Sequence, residues 1–103
     1  MEKNYKSQLM VNGKTIEMNE FTEEFLARIT VGAVTTLKGV EYIRTVDLNQ
    51  DRGDVVVKVN GEEIELTPFP NNVIANTLSG LVSTLKGIDK DNITGIDIKV
   101  TAV

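Results

Sequence analysis

The chain has no cysteine, no histidine and no tryptophan among its 103 residues. Without thiol or imidazole there is no thiolate nucleophile, no imidazole general base, and no Cys- or His-ligated zinc, copper or haem. No disulfide or metal staple assists folding, so one modest core must carry a chain of this size, which buries only roughly 65% of its unfolded surface. The chemistry that remains belongs to carboxylates, hydroxyls, amides, lysine and arginine, and no cofactor is expected.

Basic residues are also sparse: 11 against 15 acidic ones give a formal charge of −4. The lysines and arginines are scattered with no run of three, so neither nucleic acid nor an anionic membrane surface is an expected partner. The first residues hold no apolar segment of signal-peptide length, and a cytoplasmic location is the expectation. The stretch 66–85 is uncharged and long enough to span a bilayer. Its prolines, asparagines, serines and glycine make it too polar to do so, and no membrane association is expected.

What is present is an internal repetition. A shift of 48 residues superposes 11–40 on 59–88 without a gap, and thirteen of those 30 positions are identical. Chance would give about two at average residue frequencies. The identities include Val-Asn-Gly at 11–13 and 59–61, Phe21 with Phe69, Ala27 with Ala75, Gly32 with Gly80, Val34 with Val82, and Thr-Leu-Lys-Gly at 36–39 and 84–87. The chain reads as a single domain, 1–103, made of two units at about 4–50 and 53–103.

Each unit carries the same signals. Asn12-Gly13 and Asn60-Gly61 tolerate the two positive φ angles of a type I′ hairpin turn, so each joins two short strands: 6–11 with 14–18, and 55–59 with 62–66. A helix follows in each unit, near 20–38 and 70–86, started by Asn19 or Thr22 and by Thr67 with Pro68. Both helices are expected to stop at Lys-Gly followed by Val40 or Ile88, a glycine cap with an apolar residue folding back. A third strand closes each unit, 42–49 and 95–103, with residues 91–94 inserted before the second; the polar run 49–54 is a hairpin loop between the units. The fold class is α+β: a two-layer sandwich with an antiparallel or mixed sheet of about six strands and two helices on one face, built from tandem ββαβ repeats.

Helical spacing puts Phe21, Phe25, Leu26, Ile29, Gly32, Ala33 and Leu37 on one broad apolar face, and Phe69, Val73, Ile74, Gly80, Leu81 and Leu85 on its counterpart; these are the expected core faces. The polar strand residues Glu17, Thr45, Asp47, Lys58, Glu63, Glu65, Asp97 and Lys99 are expected to face water. A narrower stripe, Ala27, Val31 and Val34 with Ala75, Ser79 and Val82, is either the mutual contact of the two helices or a surface for a second chain. Gly32 and Gly80 cost about 1 kcal/mol each inside a helix. Close approach of the helix backbone to the sheet or to the other helix is the expected compensation.

Asp47-x-Asn49-x-Asp51 resembles the opening of a calcium-binding loop, but Gly53 is one position late and Lys58 stands where a bidentate Glu is required. A polar hairpin turn accounts for the same residues, and Asp47, Asn49 and Asp51 stand as candidate cation ligands beside that reading. Neither glycine motif has the form of a phosphate loop, and the strand carboxylates are most simply solvated. The second helix is unusual in carrying no charge while presenting, beside Asn71, the residues Asn72, Asn76, Ser79 and Ser83. Depletion of charge marks contact surfaces, so these residues, with Val31 on the first helix, are the expected interface of a homo-oligomer or with a protein partner. The sequence therefore points to a non-enzymatic binding or structural module that self-associates through its helical layer. The alternative is a small-molecule or divalent-cation binder, or a carboxylate-based enzyme, with its site where the two units meet.

Overall fold

Residues 5–37 and 42–103 are described by a computed structural model. Six strands, β1 (Tyr5–Val11), β2 (Lys14–Ile16), β3 (Thr45–Asp51), β4 (Asp54–Val59), β5 (Glu62–Ile64) and β6 (Gly95–Ala102), form one antiparallel sheet in the order β2-β1-β6-β3-β4-β5. Two helices, α1 (Glu20–Thr35) and α2 (Pro68–Val82), complete a compact α+β fold. The mixed-sheet option is thereby removed.

The hairpin turns follow from local chemistry. Asn12 and Gly13 (φ 52° and 80°) and Asn60 and Gly61 (φ 53° and 87°) take the two positive φ angles expected of them. A third such turn joins β3 to β4 through Arg52 and Gly53 (φ 49° and 89°), so the strands run to Asp51 and Asp54 and the expected loop 49–54 shrinks to two residues. Gly53 supplies the freedom that an arginine at positive φ does not signal by itself. The strands after the asparagine turns are shorter than expected because residues 17–19 lead into α1, where the Asn19 side chain accepts a hydrogen bond from the Thr22 amide (2.8 Å). Thr67 caps α2 with Pro68 at its first position, without a side-chain bond.

α2 ends at Val82, before the Lys-Gly pair. The chain continues through tighter turn bonds from Thr84 to Leu81 and from Leu85 to Val82, and Gly87 then takes φ 82° with the Ile88 amide bonded back to Leu85. The glycine reverses the chain as expected, one turn beyond the helix proper. The corresponding Lys38, Gly39 and Val40 lie outside the described residues. The insertion at 91–94 forms a short 3₁₀ turn, Lys90–Asn92, capped by Asp89.

One side of the sheet is aliphatic and covered by the helices. A single register row, Ile16–Leu9–Ile98–Leu48–Val57–Ile64, crosses all six strands, and its four central members are buried. Onto this face α1 turns Leu26, Ala27, Thr30 and Val34, and α2 turns Ile74, Ala75, Leu78 and Val82. Two polar strand residues on the same face bond to the helices: the Ser7 hydroxyl donates to the Glu23 carbonyl (2.7 Å), and the Gln50 side-chain amide donates to the Ser79 hydroxyl (3.0 Å). Thr30 is buried in this layer, and its hydroxyl has no partner among the described residues. Thr30→Val removes that orphaned group at nearly constant shape and is expected to stabilise the fold by about 1 kcal/mol, read as a rise of the thermal midpoint by about 5 °C.

The inward faces of the helices are those expected only in part. Leu26 and Ile74 are buried, with Leu37, Leu81 and Leu85 packed partly against the core, but the phenylalanine edge of each face is turned outward. Ala27 and Val34 are fully buried against the sheet, whereas Phe21 is 72% and Phe69 77% exposed, with Phe25 and Val73 also open to solvent. The physical reason lies in the glycines. Were the stripe containing Phe21, Phe25 and Gly32 turned inward, the missing side chain would leave a void, while Leu26, Ala27, Thr30 and Val34 form an unbroken inward surface and alanine lets the helix axis approach the strands.

Candidate functional site

Two outer surfaces follow from this arrangement: the open face of the sheet and the outer face of the helical layer. On the sheet, the polar residues line up in two rows. One runs Gln8–Lys99–Asp47–Lys58–Glu63 and alternates in charge from Lys99 onward; the other runs Thr15–Met10–Asp97–Asn49–Val56. Opposite charges facing each other across antiparallel strands stabilise the pairing by roughly 0.2–1 kcal/mol each. A groove of about 630 Å³ lies along this face, with Asp47 and Asp97 half-buried in it beside Lys58 and Lys99.

The candidate cation ligands Asp47, Asn49 and Asp51 fall on this strand face. They lie along β3 at alternate positions, with successive Cα atoms about 6.6 Å apart along an extended strand. The Asn49 amide donates to the Asp97 carboxylate on β6, while Asp51 stands at the far end beside the turn. A calcium loop must curl to aim its oxygens at one point, which a paired strand does not do. Among the described residues no group of three or more acidic side chains is disposed to hold a metal ion.

The helical face is different in kind. Phe21 and Phe25 stack with centroids 5.7 Å apart, and Gly32 falls on the same narrow stripe about two turns after Phe25. Forty-eight positions along, Phe69, Val73 and Gly80 repeat the pattern on α2. A Cβ built on Gly32 or Gly80 would meet nothing within 4 Å. Close packing inside the chain is therefore not what either glycine provides, contrary to the sequence-based expectation. Contact between the two helices is slight, so their mutual packing does not cover this face.

The expected interface residues divide. Asn72 and Asn76 are exposed on the outer side of α2. Ser79 turns inward to accept from Gln50, Ser83 donates to the Gly80 carbonyl of its own helix, and Val31 is half-buried against the core. The residues that sequence reasoning missed as outward-facing are Phe21, Phe25, Phe69 and Val73, which it placed in the core. A glycine within the same stripe was the available signal, since a buried stripe rarely tolerates a missing side chain.

Comparison of the chain with protein-family models, curated proteins and solved structures finds no match. What the surfaces can do must be argued from their own chemistry. Among the described residues no helix is long and apolar enough to cross a membrane, so the exposed aromatics of α1 and α2 are not part of a helical span.

Proposed function

We propose that the protein is a non-enzymatic contact module that acts through the outer face of its helical layer. The observation that carries the proposal is the exposure of large apolar side chains on both helices, the stacked Phe21 and Phe25 on α1 and Phe69 with Val73 on α2. Side chains of this size bury about 150–250 Å² each when covered, and grouped exposed aromatics mark partner sites rather than ordinary solvated surface. The charge-free composition of α2 supports the same reading, because charged residues are depleted at the centres of interfaces.

A tandem ββαβ organisation belongs to this proposal. The thirteen identities at a constant shift support it, as does the parallel sequence of elements β1-β2-α1-β3 and β4-β5-α2-β6. On that reading the duplicated Phe and Gly positions present one contact pattern twice.

The test separates contact residues from core residues. In the monomer, at a protein concentration too low for self-association, the double substitution Phe21→Ser with Phe69→Ser is expected to leave the unfolding free energy within about 0.5 kcal/mol of the parent, as surface changes do, and to reduce binding of an apolar fluorescent dye. A loss of 2 kcal/mol or more would show that the rings stabilise the fold itself and would overturn the reading.

The second reading, a small-molecule binder at the meeting of the two units, is favoured by the sheet-face groove. Its volume lies within the roughly 300–1,000 Å³ usual for ligand sites, and Asp47 and Asp97 flank the seam between β3 and β6. A ligand there should raise the thermal midpoint of the parent but not of Asp97→Asn.

A further inference from the structure

We infer that the occupant of the helical face is a second copy of this chain, docked helices to helices about a twofold axis passing near Asn76. This rests on the contact-module reading and names its partner. Three observations select a like chain.

The first is charge. Each copy carries −4, so two copies can approach closely only where negative charge is absent. The first turn of α1 is acidic through Glu20 and Glu23, and Glu24 follows with its carboxylate paired to Arg28 at 3.3 Å. From residue 66 to residue 85, by contrast, there is no charged side chain at all. An antiparallel pairing of α2 with α2 of the second copy places two neutral surfaces together and leaves the acidic starts of α1 at the rim.

The second is the glycine. Gly80 lies in the last turn of α2, and nothing among the described residues of its own chain occupies the space of its absent side chain. With the axis between Asn76 and Thr77, Val73 of one copy lies over Gly80 of the other, each the same distance along its helix from the axis. The missing Cβ then lets the helices approach closely, as small residues do at helix crossings. The Asn76 amides face each other beside the axis, each able to donate and accept.

The third is area. The described residues measure 35 × 31 × 18 Å. Six strands about 4.8 Å apart and an eight-residue strand each need about 24 Å or more, so the short extent is the one across the two layers and the helical face spans the two long ones. That is enough for the roughly 800 Å² per partner that a stable dimer buries. The product is a four-layer assembly, sheet-helix-helix-sheet, with Phe69 and Val73 enclosed.

Sedimentation equilibrium of the full chain tests the inference. A dimer is expected, strengthened as salt rises from about 0.05 to 0.5 M because screening relieves repulsion between acidic copies while leaving the apolar contact intact. Gly80→Leu is expected to weaken the dimer at least tenfold while the far-ultraviolet spectrum and stability stay those of a folded chain, since the new side chain enters open space. Because the chain has no cysteine, Asn76→Cys is expected to give a disulfide-linked dimer on mild oxidation, and Glu63→Cys on β5 is not. A chain that is strictly monomeric at about 1 mM overturns the inference, as do unchanged dimerisation of Gly80→Leu and equal cross-linking of the two cysteine variants. Failure here leaves the contact-module reading to its own test, in which destabilisation by the two serine substitutions is the adverse result.

Discussion

Ile98→Ala is expected to lower the unfolding free energy by about 3–4 kcal/mol in equilibrium urea denaturation. Ile98 is 2% exposed and sits in the central strand pair, opposite Leu9 on one side and Leu48 on the other, inside the one aliphatic row that crosses the whole sheet. Truncation there removes methyl groups from contact with both neighbours and leaves a void that strands pinned on each side cannot close. Domains of this size are stable by only about 5–15 kcal/mol in total, so this one change removes a large share. The contrast with Phe69 is the informative part. The larger side chain, exposed on α2, is expected to contribute almost nothing to the same measurement made on the monomer at a protein concentration too low for self-association, which is a direct readout of the outward turn of the phenylalanines.

Asn12→Ala is expected to cost about 3 kcal/mol, more than loss of a turn residue alone. Asn12 occupies positive φ, where alanine is strained by about 1 kcal/mol. Its side chain also ties the first hairpin to the start of β6: the side-chain oxygen accepts from the Thr94 and Gly95 amides and from the Thr94 hydroxyl, each at 2.9 Å, and its amide donates to the Asn92 carbonyl. Asn12→Gly keeps the conformation but loses the clamp, so it should recover about 1 kcal/mol of the alanine deficit and no more. If glycine restores the parent stability fully, the clamp contributes nothing. Asn60 repeats the device at the other edge, accepting from the Arg44 and Thr45 amides and donating to the Tyr42 carbonyl.

Those two asparagines show how much of the structure was legible in the sequence. Asn-Gly announces a hairpin because the φ requirement is local, and local requirements can be read from two residues. That the same asparagine would reach a strand more than eighty residues away is a tertiary fact with no local signature. The strands were equally legible, since alternation in 55–59 and 96–100 fixes which side chains share a face. Helix orientation was not. Both α1 and α2 carry two apolar stripes separated by a fraction of a turn, and helical periodicity alone does not say which one meets the sheet. The choice was settled by volume: Ala27 and Ala75 fit against the branched strand residues, and the phenylalanine stripe with its glycine does not.

The candidate site was legible in part for the same reason. Absence of charge on α2 singled out that helix, and Asn72 and Asn76 are exposed on it as expected. The inward turn of Ser79 was not legible because a small hydroxyl serves equally well in an interface or as a partner for a buried amide such as that of Gln50. Asp51 was grouped with Asp47 and Asn49 on spacing that suits a curled loop, and the extended conformation of β3 spreads the three apart.

The position of β6 has a consequence for how the fold assembles. The strand that comes last in chain order occupies the middle of the sheet, between β1 and β3. Before it is in place, the two hairpin-bearing halves have no strand pairing to each other, and both β1 and β3 offer an unprotected edge. Folding must therefore wait for contacts spanning about ninety residues, which places the chain among slow, topologically non-local folders rather than those that close helix by helix. During that interval exposed edges invite pairing with other chains. Removal of Gly95–Ala102 would leave two half-sheets without a seam, not a smaller version of the same domain.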